Sequence, residues 1–233
     1  MAKSQSKLRS VKPVGHYSVV ERVSNEIRQS VLVGRLPPGE SFSITRLCSE
    51  LGVSHIPVRE ALQRLESQGL IELRPGRSGI VVPINIKDLN EIYVLRMMIE
   101  PKLISLAAPL LSDNDLQILY DALVGMELES HDPQSDEFWM WHNKFHWQLL
   151  NPAINAWSER VLVPLWHGAE RYLRLFYIED NQMESPMLGH RELYDAAMHR
   201  SSDDLSQLLR NHLQENLDLL LEAVQNLGIN FAN

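Results

Sequence analysis

A single cysteine, Cys48, stands in 233 residues, so the chain has no disulfide of its own and no cysteine-rich metal cluster. Its neighbours Leu47 and Leu51 put it on the apolar side of a helix, as a buried thiol. No apolar run approaches the roughly 18 residues needed to cross a bilayer. Residues 1–14 carry Lys3, Lys7, Arg9 and Lys12 without an apolar core, which is not the pattern of a secretory signal, so a cytoplasmic location is expected. The sequence also lacks internal repeats, low-complexity tracts, a glycine-rich phosphate loop, a nucleophile elbow and a His-Glu-x-x-His motif. What remains is an ordinary globular composition, 44% hydrophobic and 22% charged, long enough for one large domain or two ordinary ones.

The net charge of −8 is unevenly spread. Residues 1–85 hold 12 Lys and Arg against 7 Asp and Glu, whereas residues 86–233 hold 10 against 23. A basic head on an acidic body suits a DNA-binding module joined to a domain that does not touch DNA.

After a basic, polar leader over residues 1–14, a helical pattern begins near Tyr17, with Val19, Val20, Val23, Ile27, Val31 and Leu32 mainly on one face. Gly34 and the rigid Leu36-Pro37-Pro38-Gly39 turn end it. A short helix is expected from about Ile44 to Leu51 with Ser43 as its N-cap. Gly52 breaks it, and Ser54 is placed to cap a third helix whose Val58, Leu62 and Leu65 line the inner face as far as Gly69. Two short β-prone runs, Leu70 to Leu73 and Gly79 to Pro83, flank a hairpin tip at residues 74–78. From Ile86 onward the texture is helical. Breaks near Ser112-Asp113, Asp132-Pro133, Asn151-Pro152, Ser185-Pro186 and Ser201-Ser202 predict about six helices. The expected fold is therefore mainly α, with a winged helix-turn-helix over residues 1–83 and an all-helical bundle over residues 86–233.

Three short helices followed by a hairpin form a winged helix. Its third helix turns His55, Ile56, Arg59, Gln63 and Arg64 outward, and residues near the N-terminus of such a helix reach base edges in the major groove. Arg59 is the candidate base reader, because a guanidinium donates two bonds to guanine O6 and N7. Arg46 and Arg64 are candidates for phosphate contacts. The tip, with Arg77 between Gly76 and Gly79, is shaped to enter the minor groove.

The histidines supply the second signal. His142 and His146, at i and i+4 in an aromatic stretch, stack on one side of a helix, as a shared metal ion requires, although ordinary hydrogen bonds also satisfy core histidines. His190 and His212 lie on later helices among apolar neighbours.

The Leu36-Pro37-Pro38-Gly39 turn, residues 47–53, the Ser54-His55-Ile56-Pro57-Val58-Arg59-Glu60-Ala61-Leu62 run and Gln68-Gly69-Leu70 together resemble the winged helix of the GntR family of bacterial regulators. The resemblance implies a base-contacting role for Arg59 and a minor-groove contact for Gly76 and Arg77. The family usually has arginine or a similar donor where this chain has His55, so its operator is expected to differ from the commonest one. From about Leu89 onward the chain resembles the FCD-type effector domain of the FadR subgroup, through Arg96 with Glu100, Phe145-His146, Gly189-His190 and Asn211-His212-Leu213. Many members of that subgroup hold a divalent metal with one aspartate and three histidines. By the resemblance the histidines are His146, His190 and His212, and the aspartate's place is taken by His142.

Four neutral imidazoles leave the full positive charge on a metal, which favours zinc, copper or nickel over magnesium or calcium, and zinc or nickel is the expected ion. They also favour an anionic effector, a small organic or sugar acid, which Arg96 could meet in a forked geometry. Arg171, Tyr172 and Arg174 fit either an inward or a surface position. These expectations describe a DNA-binding regulator and not an enzyme. By the resemblance it is more often a repressor, and it should bind a palindromic double-stranded operator as a homodimer, since two symmetric heads double the bases read. Three alternatives remain at the level of sequence: a regulator that senses the metal itself, a metal-dependent enzyme with a DNA-binding appendage, and an architectural DNA-binding protein without a ligand.

Overall fold

The computed structural model describes residues 19–76, 78–132, 135–179 and 184–226. Its first unit opens with α1 (Val19–Leu32), which turns Val23, Ile27 and Val31 inward at every fourth residue. The Pro37-Pro38-Gly39 turn leads into β1 (Ser41–Ser43), a three-residue strand outside the sequence expectation, and then α2 (Ile44–Leu51). Ser43 caps α2, its hydroxyl accepting from the Arg46 N–H. Gly52 ends the helix in the left-handed conformation, at φ 65°.

α3 (His55–Ser67) buries Val58, Ala61, Leu62 and Leu65. Ser54 sits at its N-cap position in extended conformation, yet its hydroxyl makes no capping bond. The third helical residue is Pro57, which has no N–H to give, so one of the two usual donors to a capping side chain is missing.

The wing is β2 (Ile71–Arg74) paired antiparallel with β3 (Ser78–Val81), and β1 adds to the far edge of β3. Phe42 of β1 faces Gly79, where a Cβ would lie 2.4 Å from the phenyl ring, so only glycine admits the third strand. Glu66 of α3 accepts from the Leu73 N–H at 2.8 Å and ties the wing to the helix.

The second unit has its own core, formed by α4 (Ile86–Ala107), α5 (Asp113–Glu129), α6 (Asp136–Leu150), α7 (Ala156–Glu179), α8 (Glu184–His199) and α9 (Ser202–Asn226). Ser112 and Asp115 form a reciprocal capping box at the start of α5. Asn151-Pro152 opens a short 3-10 turn between α6 and α7. α8 begins at Glu184, so Ser185 and Pro186 fall in its first turn instead of preceding it. Among the described residues no helix is long and apolar enough to cross a membrane.

α7 joins the two units. Its Arg171 donates to the carbonyls of Val82 and Pro83 and to Asp88, while the Tyr172 hydroxyl meets Asn85 and Asp88. The connection between wing and bundle is thus held by buried side chains from the middle of the bundle.

Candidate metal centre and nucleic-acid interface

α6 supplies His142 and His146, α8 supplies His190, and α9 supplies His212. One ring nitrogen from each of His142, His146 and His190 lies within 4.8 Å of the others. Nε2 of His146 and Nε2 of His190 are 3.0 Å apart. Tetrahedral zinc with Zn–N bonds of about 2.0–2.1 Å separates its ligand nitrogens by roughly 3.3 Å, so the donor set fits such an ion. His142 Nδ1 is buried without a hydrogen-bond partner, an acceptor or donor in need of one.

His212 stands beside this trio, its ring 4.7 Å from that of His190 and 5.4 Å from that of His146. Its Nε2 lies 3.2 Å from the Asn216 amide nitrogen. Three of the four expected nitrogens are therefore brought together, with the fourth ring against them. Gly189 makes room for that ring, since a Cβ there would lie 2.9 Å from His212 Nδ1.

Burial holds His142, His146 and His212 well below the usual imidazole range, and the neighbouring histidines and Arg96 add to the effect. These rings are neutral at physiological pH, the form that can bind a metal.

Arg96 is buried beside the cluster, over the face of Tyr93. Its Nε donates to Glu100 Oε1 at 2.6 Å, and its Nη2 faces Oε2 at 3.5 Å. Glu100 is itself fully buried and accepts from the Trp166 indole at 2.8 Å. The Nε–Nη2 edge of Arg96 is thus already engaged with Glu100, not open for a forked pair with another carboxylate. Arg96, His142 and His146 share a cavity of about 20 Å³, roughly the space of one water or ion.

The sequence left Arg171, Tyr172 and Arg174 undecided, and all three are buried. They do not line the histidine cavity. Arg171 and Tyr172 grip the interdomain connection, and Arg174 bonds Glu170 and Asp136 above the Trp139 ring. Sequence reasoning missed Asn143 and Glu170, whose amide and carboxylate meet at 3.4 Å on the cavity wall. Their 27-residue separation carries no periodic signal.

In the reading head, His55, Ile56, Arg59, Gln63 and Arg64 are all exposed, along one side of α3. Ser54 is exposed just before them. His55 Nδ1 lies 3.5 Å from Cys48 Sγ, so the thiol steadies one edge of the ring and leaves Nε2 for other partners. Arg46 is exposed on α2 and paired with Glu50 at 2.7 Å. Gly76 takes φ 93° at the wing tip, a conformation that favours glycine. Arg77, expected at the same tip, lies outside the described residues.

Comparison with known proteins agrees with both halves. The family described as bacterial regulatory proteins, gntR family, matches residues 19–82, and the FCD domain matches residues 91–215. The HTH-type transcriptional regulator YdhC of Bacillus subtilis is 24% identical over 203 residues, covering 86% of this chain and 90% of its own. The HTH-type transcriptional repressor RspR of Escherichia coli is 24% identical over 200 residues, covering 84% and 86%. Among solved structures, E. coli McbR/YncC superposes with a TM-score of 0.78 at 22% identity, over 89% of this chain and 99% of that one. A winged head with an exposed recognition helix, followed by an FCD bundle, makes this chain a member of the GntR family of DNA-binding transcriptional regulators, of the type that carries an FCD domain.

Proposed function

We propose that the protein is a homodimeric repressor whose grip on a palindromic operator is set by a small carboxylic acid bound at a metal in the FCD bundle. The observation that carries this reading is the convergence of His142, His146 and His190, the last two buried, beside the buried Arg96. A buried polar cluster of this kind is costly unless something satisfies it. His142, His146 and His190, with His212 as the fourth, would hold zinc or nickel. Such an ion would supply a positive centre for a carboxylate, and Arg96 would add a second one. With no carboxylate among the four side chains, the acid is the natural source of the missing negative charge.

In the head, Arg59 reads bases, with Ser54 and His55 beside it at the helix N-terminus. Arg46 and Arg64 contact phosphates, and Gly76 and Arg77 enter the minor groove. Two supports for the dimer are the small footprint of a single recognition helix and an exposed apolar stripe on α4, Val94, Leu95 and Met98. The repressor sign follows the relative RspR, which is named a repressor.

The domains are coupled through α7. Arg28 of α1 is held by Gln68 at the end of α3 and feels the charge of Glu170, which lines the histidine cavity. An effector that displaces α7 therefore acts on the helix that seats the recognition helix. It shifts operator affinity only by its difference in affinity for the two arrangements.

A second reading, in which the metal itself is the signal, draws on the cavity's size, since about 20 Å³ accepts an ion but no organic acid without movement. Footprinting tests both. A protected site with dyad symmetry is expected, released by acids on the zinc-loaded protein under the first reading and by zinc alone under the second. Protection without symmetry, or release by neither, contradicts the proposal.

A further inference from the structure

The cavity beside the histidines has a neighbour. Between α6 and α7, a chamber of about 320 Å³, open to solvent past the exposed Asn143 and Lys144, shares Asn143, Trp166 and Glu170 with the inner cavity. This is within the size range of small-molecule sites, about 300–1,000 Å³, whereas the inner cavity is far below it. The inner space has room for about one water or ion, so only the carboxylate oxygens of an acid can approach it and the rest must lie elsewhere.

The chamber's walls specify what that remainder is. Trp147 from α6 and Trp166 from α7 meet edge to face, with ring centres 5.6 Å apart at 82°. Val163 completes the apolar side. Aromatic guests gain from edge and offset contacts with such rings beyond what area alone provides. Asn143, Lys144 and Glu170 form its polar side, and one buried polar atom in the lining has no hydrogen-bond partner, His167 Nδ1. Burial and the nearby Arg28 hold this imidazole neutral, with a folded pKa of about 4, so a guest with an N–H or O–H could satisfy it. Two cationic poles flank the chamber. Lys144 lies on its exposed side, stacked over the Trp141 ring at 4.8 Å, where solvent screens its charge. Arg96 and the histidines lie on the buried inner side, where the attraction is stronger, and Glu170 between them is already neutralised by Arg174 at 2.9 Å.

We infer that the chamber between α6 and α7 is a binding site for the planar aromatic part of the effector, whose carboxylate points inward to Arg96 and the histidines. The effector class is thus an aryl-substituted carboxylic acid with a hydrogen-bond donor on or beside its ring. This rests on the acid-at-metal reading above and adds the site that selects among acids. It also places the ring against His167 and Glu170, the two α7 residues that feel Arg28 of the DNA-binding head.

The test is calorimetric titration of the zinc-loaded full chain with indole-3-acetate and with acetate. Indole-3-acetate is expected to bind at least tenfold more tightly. Val163→Trp, which fills the chamber, should remove that advantage and leave zinc content and acetate affinity unchanged. Val163→Phe should reduce it by an intermediate amount, and a thermal melt of each variant establishes that it is folded. Equal binding of the two acids, or an advantage that survives in folded Val163→Trp, overturns the chamber assignment while the metal reading stands. If neither zinc nor acetate binds but indole-3-acetate does, and Val163→Trp abolishes this, the chamber stands and the metal reading falls. Binding of neither acid overturns both.

Discussion

Arg59 and His142 are the residues on which the two halves of the account turn. Arg59 is exposed on a helix whose opposite side is locked into a core by Val58, Leu62 and Leu65, so its direction is fixed by packing and not by its own contacts. Arg59→Ala should therefore weaken operator binding by about 1–3 kcal/mol, roughly 5- to 150-fold, and relax selection at one base pair per half-site. Anisotropy titrations with the footprinted operator and with a base-substituted copy measure both effects, while the melting temperature should stay constant. By the family resemblance, His142 stands where a carboxylate is expected. Its ring lies 4.6 Å from that of His146 and 5.2 Å from that of His190. His142→Asp should keep or tighten zinc binding, because it adds the negative charge that the imidazoles lack; a competition assay with a zinc-sensitive dye would read this. Loss of zinc in that variant would contradict the equivalence of imidazole and carboxylate at this position and show that the site needs the His142 ring itself.

At the scale of elements, the helices were legible in the sequence because their apolar residues recur at every third or fourth position and their ends carry strong signals. Ser43, Gly52 and the Ser112-Asp115 pair behave as such signals should. Three features were not legible. β1 is too short for any periodicity, and only its pairing with β3 reveals it. Ser54 reads as a cap, but Pro57 removes a donor that the cap would serve. The middle of α7 sets His167, Glu170, Arg171 and Arg174 among apolar residues, and the sequence alone did not decide whether Arg171 and Arg174 faced inward. Their burial is made tolerable by partners far away in the chain, Asp88 and Asp136. The four histidines were readable as residues, but their convergence depends on the packing of three helices, and here the resemblance to a family did what spacing alone could not.

The same helix gives a pH prediction. His167 on α7 has a folded pKa of about 4, against an ordinary value of 6.5, mainly because of burial. Between those values the unfolded chain takes up a proton that the folded chain refuses, so stability falls as the pH is lowered from 6.5 towards 4. His167→Gln should lose less of its melting temperature over that interval than the wild type does. The cluster histidines titrate in both proteins, so the difference between the two curves isolates His167. Parallel curves would contradict its buried, neutral state.

At the scale of the whole molecule, a basic reading head and an acidic bundle are joined by a connection that α7 grips through Arg171 and Tyr172. Under the proposed reading, that arrangement would give a ligand in the bundle a route to the DNA, through Glu170 and Arg28, without contacting the recognition helix. It also makes one property of the bundle decisive: whether the buried histidines hold an ion. Elemental analysis of the full chain, purified without chelators or a histidine tag, tests this most directly. About one zinc or nickel per chain is expected in the wild type, falling to near zero in His146→Ala and in His190→Ala while both remain folded. A wild type without bound metal, or variants that retain it in full, would contradict the account.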